Sequence, residues 1–269
     1  MMLTAIKHKL DELYDTYNRR EFVHPDPLEF LYWYPDVNDR EVAGLVASAL
    51  AYGRVAQIME SVECALEVMA PSPARFVDRM PLVTLLEAFK GFRHRFTTGA
   101  ELAALLFGAG LVRLRHGSLG RCFRAGLGDN VLPALSIFVS ELSEAAGGPL
   151  NHLLPSPARG SACKRLNLFL RWMVRHDEVD PGGWQGVSAS KLIIPLDTHM
   201  HRIGLALGLT ERKRADLRAA AEVTAAFRTI APKDPVRYDF ALTRLGIRSE
   251  TDLGAFLDHL RQEGVAGHA

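Results

Sequence analysis

Residues 192–209 read LIIPLDTHMHRIGLALGL. The apolar run reaches Pro195, which disfavours helical geometry at the residue before it, and helical periodicity resumes after Asp197. We therefore predict that Asp197 is the N-cap of a helix of about three turns that ends at Gly208. A carboxylate in this place is held by first-turn amides, and one of its oxygens can still face a cleft.

Asp197 has two other interpretations. Asp is among the commonest N-cap residues, so the side chain can serve the helix alone. Alternatively, Asp197, His199 and His201 would point to one side of a strand and could hold a divalent metal. In a helix, residues two apart face nearly opposite ways, so the helical spacing downstream disfavours the metal site.

The composition is that of a globular protein. The chain has 269 residues, 48% hydrophobic and 23% charged, which is ordinary for such proteins. No apolar run approaches the roughly 18 residues of a membrane span, and Met1–Arg20 is charged and amphipathic, unlike a signal peptide. We expect a cytoplasmic protein without membrane contact. The three cysteines form no CxxC pair, which predicts neither disulfides nor a metal cluster.

Charge is distributed unevenly along the chain. From Arg159 to Arg248 there are 16 Lys and Arg against 9 Asp and Glu, whereas the whole chain has a net charge of only +1. This asymmetry is typical of a phosphate-binding face on an otherwise acidic body. Solvated helix surfaces give the same count.

Helical spacing dominates the chain, which predicts an all-α fold. A long helical segment runs from Glu41 to about Met69 and is interrupted at Gly53. The flanking Tyr52 and Arg54 either stack on or wedge between bases, or are a core tyrosine and a surface arginine. A further helix is expected to open at Gly91–Phe96 and to run through Leu114.

Residues 160–175 carry a second candidate group. Their apolar stripe predicts a helix with Ser161 as N-cap and Lys164 at the third position. A lysine in a first turn opposes the helix dipole and is expected to lose its proton easily, which suits a nucleophile. The alternative is a solvated basic stripe of Lys164, Arg171 and Arg175.

From Arg40 to Ile247 the order of these segments resembles the helix-hairpin-helix DNA glycosylase superfamily of base-excision repair. The strongest motif is PLDTHMHR at 195–202, which looks like the family's signature before a helix, where the Asp is the catalytic carboxylate. Residues 160–175 look like the second helix of the hairpin, whose start carries the catalytic Lys in bifunctional members. Residues 49–57 are similar to a helix whose end inserts a side chain into DNA, and 91–96 to the start of a later helix.

The sequence is most similar as a whole to a bacterial domain family of unknown function. The shared segments are GSxxKRLNLFLRWM at 160–173 and YDFAL at 238–242. The long gap between Lys164 and Asp197 looks more like that of archaeal 8-oxoguanine DNA glycosylases than the shorter gap of other branches.

The resemblance implies a two-lobed helical fold with a cleft between the lobes. Residues 40–175 would form a central bundle ending in a degenerate hairpin, and 1–39 with 185–269 a second lobe. The implied activity is removal of a damaged base, such as an oxidised purine, flipped from DNA, with AP lyase chemistry if Lys164 forms a Schiff base. Asp197 would stabilise the positive sugar.

Two departures from the family pattern stand out. The usual hairpin has two closely spaced glycines whose amides grip a phosphate, whereas residues 154–160 keep only Gly160. The four-cysteine loop that binds an iron-sulfur cluster in some branches is absent, so neither a cluster nor another cofactor is expected.

The remaining candidate residues follow from the same resemblance. Damaged duplex DNA is the expected partner and a monomer the expected state. Candidates for DNA contact are Tyr52, Arg54, Gln57, Arg159, Gly160, Ser161, Lys191, His199, Arg202 and the basic cluster 212–214. Candidates for stacking on the extruded base are Trp172, Trp184 and Trp33, for which the alternative is a place in the core.

Two other function classes remain open from the sequence. One is a non-catalytic nucleic-acid-binding protein on the same scaffold. The other is a metal-dependent hydrolase that uses Asp197, His199 and His201.

Overall fold

The computed structural model describes residues 7–150, 152–248, 254–256 and 258. Within them α-helices dominate and the strands form one short hairpin, so the predicted all-α class is confirmed. Residues 1–6 of the amphipathic N-terminal segment and most of residues 249–269, at the end of the expected second lobe, lie outside the described residues.

The elements follow one another with short connections. The helices are α1 (Lys7–Tyr17), α2 (Val37–Ala49), α3 (Val55–Val68), α4 (Pro73–Arg79), α5 (Leu82–Ala88), α6 (Gly99–His116), α7 (Leu119–Ala125), α8 (Val131–Ala145), α9 (Lys164–Val174), α10 (Thr198–Ala206), α11 (Leu217–Ile230) and α12 (Asp239–Arg248). The strands are β1 (Arg93–His94) and β2 (Thr97–Thr98). Short 3-10 segments cover Arg20–Phe22, Pro27–Trp33, Pro157–Arg159 and Ala189–Lys191.

The helix α2 lies at the centre of the core. Every residue from Glu41 to Ala49 is buried. It packs against the Pro27–Trp33 segment, α4 and α9. Each fully buried Val or Leu side chain in this helix contributes about 1.5–3 kcal/mol of transfer free energy. This packing fixes the position of α9, whose first residue is Lys164.

The predicted helix from Glu41 to Met69 is divided in two. α2 ends at Ala49 and α3 begins at Val55. Gly53 lies between them with φ +104°, a backbone conformation that favours glycine. The interruption predicted at Gly53 is therefore confirmed, and it extends over residues 50–54.

The prediction that residues 91–96 open a helix is wrong. Residues 93–98 form a hairpin in which Arg93 pairs with Thr98 and His94 with Thr97. The helix α6 begins only at Gly99, where Thr98 and Glu101 form a reciprocal capping box. That box satisfies first-turn amides locally and so sets the start of the helix after the hairpin.

Among the described residues, no helix combines the length and apolar character needed to cross a membrane.

Candidate active site

Asp197 occupies the start of α10 as predicted. Its Oδ1 accepts a hydrogen bond of 2.8 Å from the amide of Met200. The helix ends as predicted too, because Gly208 has φ +63° and the Leu209 amide returns to the Gly204 carbonyl at 2.8 Å. One carboxylate oxygen is thus fixed by the helix, and the other remains available.

Lys164 begins α9, and its position differs from the prediction. Ser161 does not cap the helix, since its hydroxyl accepts from the Cys163 amide at 3.2 Å. Cys163 takes the cap position with φ +48°, an unusual conformation for a non-glycine residue. Its thiol donates to the Pro155 carbonyl at 3.1 Å. Lys164 is therefore the first residue of the helix and not the third.

The structure brings Lys164 and Asp197 together. The Lys164 Nζ lies 3.7 Å from the Asp197 Oδ2, with the two side chains 34% and 19% exposed. The segment that delivers Asp197 is buried from Leu192 to Leu196, and the Ile194 amide donates to the Thr224 hydroxyl of α11 at 3.0 Å. An amine and a carboxylate that lie 33 residues apart in sequence thus meet at a solvent-accessible point.

A second carboxyl group lies behind this pair. Asp239, at the start of α12, is buried and accepts from Arg171 at 2.5 Å. Burial raises the pKa of Asp239 to about 6, against the opposing effect of Arg171, and the charge of Asp197 contributes to the rise. Arg171 also donates to the buried Asp180 at 3.1 Å. Arg171 is therefore part of an internal ion network, which contradicts the alternative of a solvated basic stripe.

Basic residues surround the Lys164–Asp197 pair from three segments. The Leu217 amide donates to the Gly160 carbonyl at 3.1 Å, which places Arg159 beside the start of α11. The buried His201 ring bonds the Arg212 carbonyl at 2.7 Å, which ties the basic cluster to α10. The exposed basic residues of these segments, here called the basic face, are Arg159, Arg202, Lys213, Arg214 and Arg218.

The hairpin-like segment before α9 is a single 3-10 turn, Pro157–Arg159, followed by Gly160 with φ +75°. The Gly160 amide donates to the Pro157 carbonyl at 2.8 Å. That donor is therefore used inside the turn and is not presented to a phosphate. Ser161 is half-buried, and its backbone pairs with Asp216 in an isolated bridge.

Tyr52, Arg54 and Gln57 differ in accessibility. Arg54 and Gln57 are exposed at the start of α3. The Tyr52 hydroxyl donates to the His94 carbonyl at 3.0 Å, and its ring stacks on Phe96. Tyr52 is thus held against the hairpin and is not presented as an inserting side chain.

The tryptophans do not form the expected base pocket. Trp172 is buried with 1% of its surface exposed. Trp184 is also buried, stacks on Phe123, and donates from its indole to Glu41 at 3.0 Å. Both are core residues, so the prediction that they stack on an extruded base is wrong. Trp33 is 49% exposed and packs edge-on against Phe30.

Two further predicted contact residues are placed differently. The Lys191 amine donates to the Gly128 carbonyl at 2.6 Å, so it is engaged within the protein. His199 is half-buried on the first turn of α10, and Arg202 is exposed one turn later. Both lie on the element that carries Asp197.

The alternative metal site is contradicted. Asp197, His199 and His201 lie at and after a helix start, so their side chains diverge. His201 is buried against the Arg212 carbonyl. Among the described residues no group of three or more His, Cys, Asp or Glu side chains is arranged to hold a metal ion.

Sequence reasoning missed Phe96, Arg165 and Asp239. Phe96 is 55% exposed at the tip of the hairpin. Arg165 lies next to Lys164, and its guanidinium lies over the Tyr52 ring at 5.0 Å. The Tyr238-Asp239-Phe240 segment was visible in the sequence, but nothing local indicated that its carboxylate lies near Asp197.

A protein family described as "Protein of unknown function (DUF2400)" matches residues 26–248. No curated protein and no solved structure matches the chain.

Proposed function

The chain belongs to the DUF2400 family, and we propose that it is a DNA glycosylase with AP lyase activity, of the helix-hairpin-helix type. Its substrate would be a damaged base, such as an oxidised purine, in a nucleotide flipped from duplex DNA. The observation that carries the proposal is the 3.7 Å contact between the Lys164 amine and the Asp197 carboxylate. The sequence resemblance assigns these two roles to the same two residues.

In the proposed mechanism the Lys164 nitrogen, once unprotonated, attacks C1′ of the extruded nucleotide. The glycosidic bond breaks, its electron pair stays with the base nitrogen, and the base leaves after taking up a proton. The sugar ring then opens, and the nitrogen loses a proton to give a Schiff base. Removal of a C2′ proton expels the 3′ phosphate and cleaves the strand.

Asp197 has two tasks in this scheme. Positive charge develops on the sugar as the glycosidic bond breaks, and a nearby carboxylate stabilises that charge. The same carboxylate, 3.7 Å from the amine, can accept the proton that Lys164 must lose before it attacks. Its hydrogen bond to the Met200 amide keeps it in place during both steps.

The basic face supports a polyanionic partner. Its members come from residues before α9, from α10 and from the 212–218 segment, all of which adjoin the Lys164–Asp197 pair. Contacts from Arg and Lys to phosphates provide most of the non-specific affinity of DNA-binding proteins. We also propose the cytoplasm as location, a monomer as active state, and a cleft between lobes formed by 40–175 and by 1–39 with 185–269.

The test is borohydride trapping on duplexes that contain 8-oxoguanine or an abasic site. Borohydride reduces a Schiff base to a stable covalent adduct, so the wild-type protein is expected to give a protein–DNA band. Lys164→Ala should abolish the adduct, and Asp197→Asn should slow its formation by at least about tenfold. Lys9→Ala, on α1, removes an equal charge and should leave the yield unchanged.

A non-catalytic nucleic-acid-binding protein is the second candidate. The altered hairpin favours it, because the Gly160 amide is already bonded to Pro157 at 2.8 Å. Salt-dependent duplex binding without an adduct or base release, across oxidised, alkylated and abasic duplexes, would support this candidate and overturn the glycosylase.

A further inference from the structure

The β1–β2 hairpin presents an aromatic ring at its tip. Arg95 and Phe96 form its two-residue loop, between the paired His94 and Thr97. Arg95 has φ +55°, a conformation that costs free energy for a residue other than glycine. Phe96 is 55% exposed. An unfavourable backbone that leaves a large apolar side chain in water contributes nothing evident to the fold.

The Phe96 ring has rigid support. It stacks on Tyr52 with centroids 4.9 Å apart and planes at 25°, and its edge contact with the His152 ring is 4.7 Å. The Tyr52 hydroxyl is bonded to Thr97 at 2.5 Å, and the His152 Nε2 bonds the same threonine oxygen at 2.7 Å. Phe96 is therefore held in position before any partner arrives.

The charges around the hairpin indicate which partner fits. Arg54, Arg93 and Arg95 are exposed beside it. The Arg95 side chain lies along Gly53, where an added Cβ would be 2.8 Å from its Cδ. A cavity of 330 Å³ next to the loop is lined by Arg93, His94 and Arg95. Aromatic rings interleaved with arginines are the arrangement that binds nucleic acid, since rings stack on bases and arginines contact phosphates.

The hairpin is connected to the Lys164–Asp197 pair. The Arg165 guanidinium lies over the Tyr52 ring at 5.0 Å and donates to the Ala49 carbonyl at 2.6 Å. Arg165 follows Lys164 directly in α9. Phe96 thus lies at most about 10 Å from that guanidinium, or about three base steps of ~3.4 Å.

We propose that Phe96, supported by Tyr52, stacks on a base of the DNA next to the nucleotide extruded toward Lys164. The inference rests on the proposed function, because it gives the DNA at that site a second point of contact. The hairpin tip, and not Tyr52 or Arg54, then fills the space that the extruded nucleotide leaves. The arginines of the hairpin bind the flanking phosphates.

The experiment uses the full chain and a duplex in which 2-aminopurine lies beside a tetrahydrofuran abasic analogue. Because stacking quenches 2-aminopurine, binding of the wild-type protein should change its fluorescence. Phe96→Ala should remove at least half of that change and weaken binding by about tenfold or more. Phe96→Trp should restore both, since an indole stacks as well as a phenyl ring.

Two controls accompany these variants. Leu114→Ala removes another highly exposed apolar side chain, on α6, and should leave fluorescence and affinity unchanged. The melting temperature of Phe96→Ala should stay close to that of the wild type, because its ring is more than half exposed.

The outcomes separate this inference from the proposed function. If the wild type forms the borohydride adduct while Phe96→Ala binds and quenches like the wild type, the stacking role is overturned and the glycosylase stands. If no lesion gives an adduct while Phe96→Ala still loses quenching, the stacking role stands and the glycosylase fails. A wild-type protein that leaves 2-aminopurine fluorescence unchanged at saturation overturns the stacking role.

Discussion

Glu41 shows how a single residue can organise several elements. Its buried carboxylate accepts from the Leu119 amide at 2.8 Å, the Gly120 amide at 3.1 Å and the Trp184 indole at 3.0 Å. It also pairs with the buried guanidinium of Arg113. Burial raises the pKa of Glu41, and these donors oppose the rise. One side chain thereby links α2, α6, α7 and the loop before Trp184.

We expect Glu41→Ala to lower the free energy of unfolding by about 3–5 kcal/mol. The variant leaves Arg113 with only Asp78 as a carboxylate partner and deprives three buried N–H groups of their acceptor. Urea denaturation followed by circular dichroism measures the loss. Glu63→Ala, at an exposed position on α3, should change stability by no more than about 0.5 kcal/mol. A loss below about 1 kcal/mol for Glu41→Ala would contradict the role.

The predictability of individual residues depends on how local their causes are. The Asp197 cap was predicted correctly, because a proline, an Asp and helical spacing within a few residues determine it. The place of Lys164 was predicted two residues too late in its helix. There the left-handed Cys163 sets the start, and its thiol is held by Pro155, eight residues earlier. Glu41 was hidden because a charged residue inside an apolar stripe has no local signal of burial.

At the scale of elements, close helix packing depends on particular glycines in α6. A Cβ added at Gly110 would lie 2.3 Å from the Val77 carbonyl oxygen of α4. One added at Gly99 would lie 1.8 Å from the Phe89 carbonyl oxygen. Backbone atoms occupy these positions, so neither contact can be relieved by a side-chain rotation. α6 and α4 approach each other this closely only because Gly110 lacks a side chain.

Gly110→Ala should therefore destabilise the protein, although alanine is the better helix former by about 1 kcal/mol. The helices must separate to admit the methyl group, and overpacking of this kind costs about 1–3 kcal/mol. Thermal unfolding should show a lower melting temperature. Gly148→Ala is the matched control, since no atom lies within 4 Å of its added Cβ. Equal melting temperatures for the two variants would contradict the packing argument.

Helices with a clear apolar stripe were predicted well and the hairpin was not. α11 has the predicted bounds, Leu217–Ile230. The hairpin strands are two residues each, too short for alternation to be visible, and their loop has no Gly, Asn or Asp to indicate a turn. The hairpin is held instead by Tyr52, some 40 residues earlier, whose hydroxyl bonds both His94 and Thr97.

At the scale of the whole molecule, buried ion pairs connect distant parts of the chain. Arg175 donates to Asp234 at 2.9 Å and to Asp177 at 2.7 Å, and it shares the buried Asp180 with Arg171. Tyr14 of α1 donates to the same Asp177 at 2.9 Å. The network therefore joins α1, α9 and the segment before α12. Its arginines belong to the positive surplus counted in the sequence, and they do not reach the surface.

Asp239 makes this network sensitive to pH. Burial raises its pKa from 3.8 to about 6, so the folded protein binds the proton more tightly than the unfolded chain. The stabilisation from this group is fully present below about pH 4 and is lost as the pH rises through about 6.

Asp239→Asn removes that dependence, so its stability relative to the wild type should improve between pH 4 and pH 7. The improvement should approach about 3 kcal/mol at most, since each pKa unit corresponds to about 1.4 kcal/mol. Urea unfolding of both proteins at several pH values gives the difference. The argument fails if the difference is constant or runs in the opposite direction.

The basic face is the part of the sequence surplus that does reach solvent, and it makes a quantitative prediction. If Arg214 and Arg218 each contact a phosphate, their double alanine variant should lower the slope of log K against log salt by about 0.9 per contact. Fluorescence anisotropy with an abasic-analogue duplex, from 50 to 200 mM salt, measures that slope. Lys7 and Lys9 of α1 provide a double variant with the same loss of charge, and its slope should equal that of the wild type. A contact with phosphates requires the slope to change, because lost counterion release cannot be replaced by lost packing. Weaker binding at an unchanged slope would therefore move the DNA away from this face.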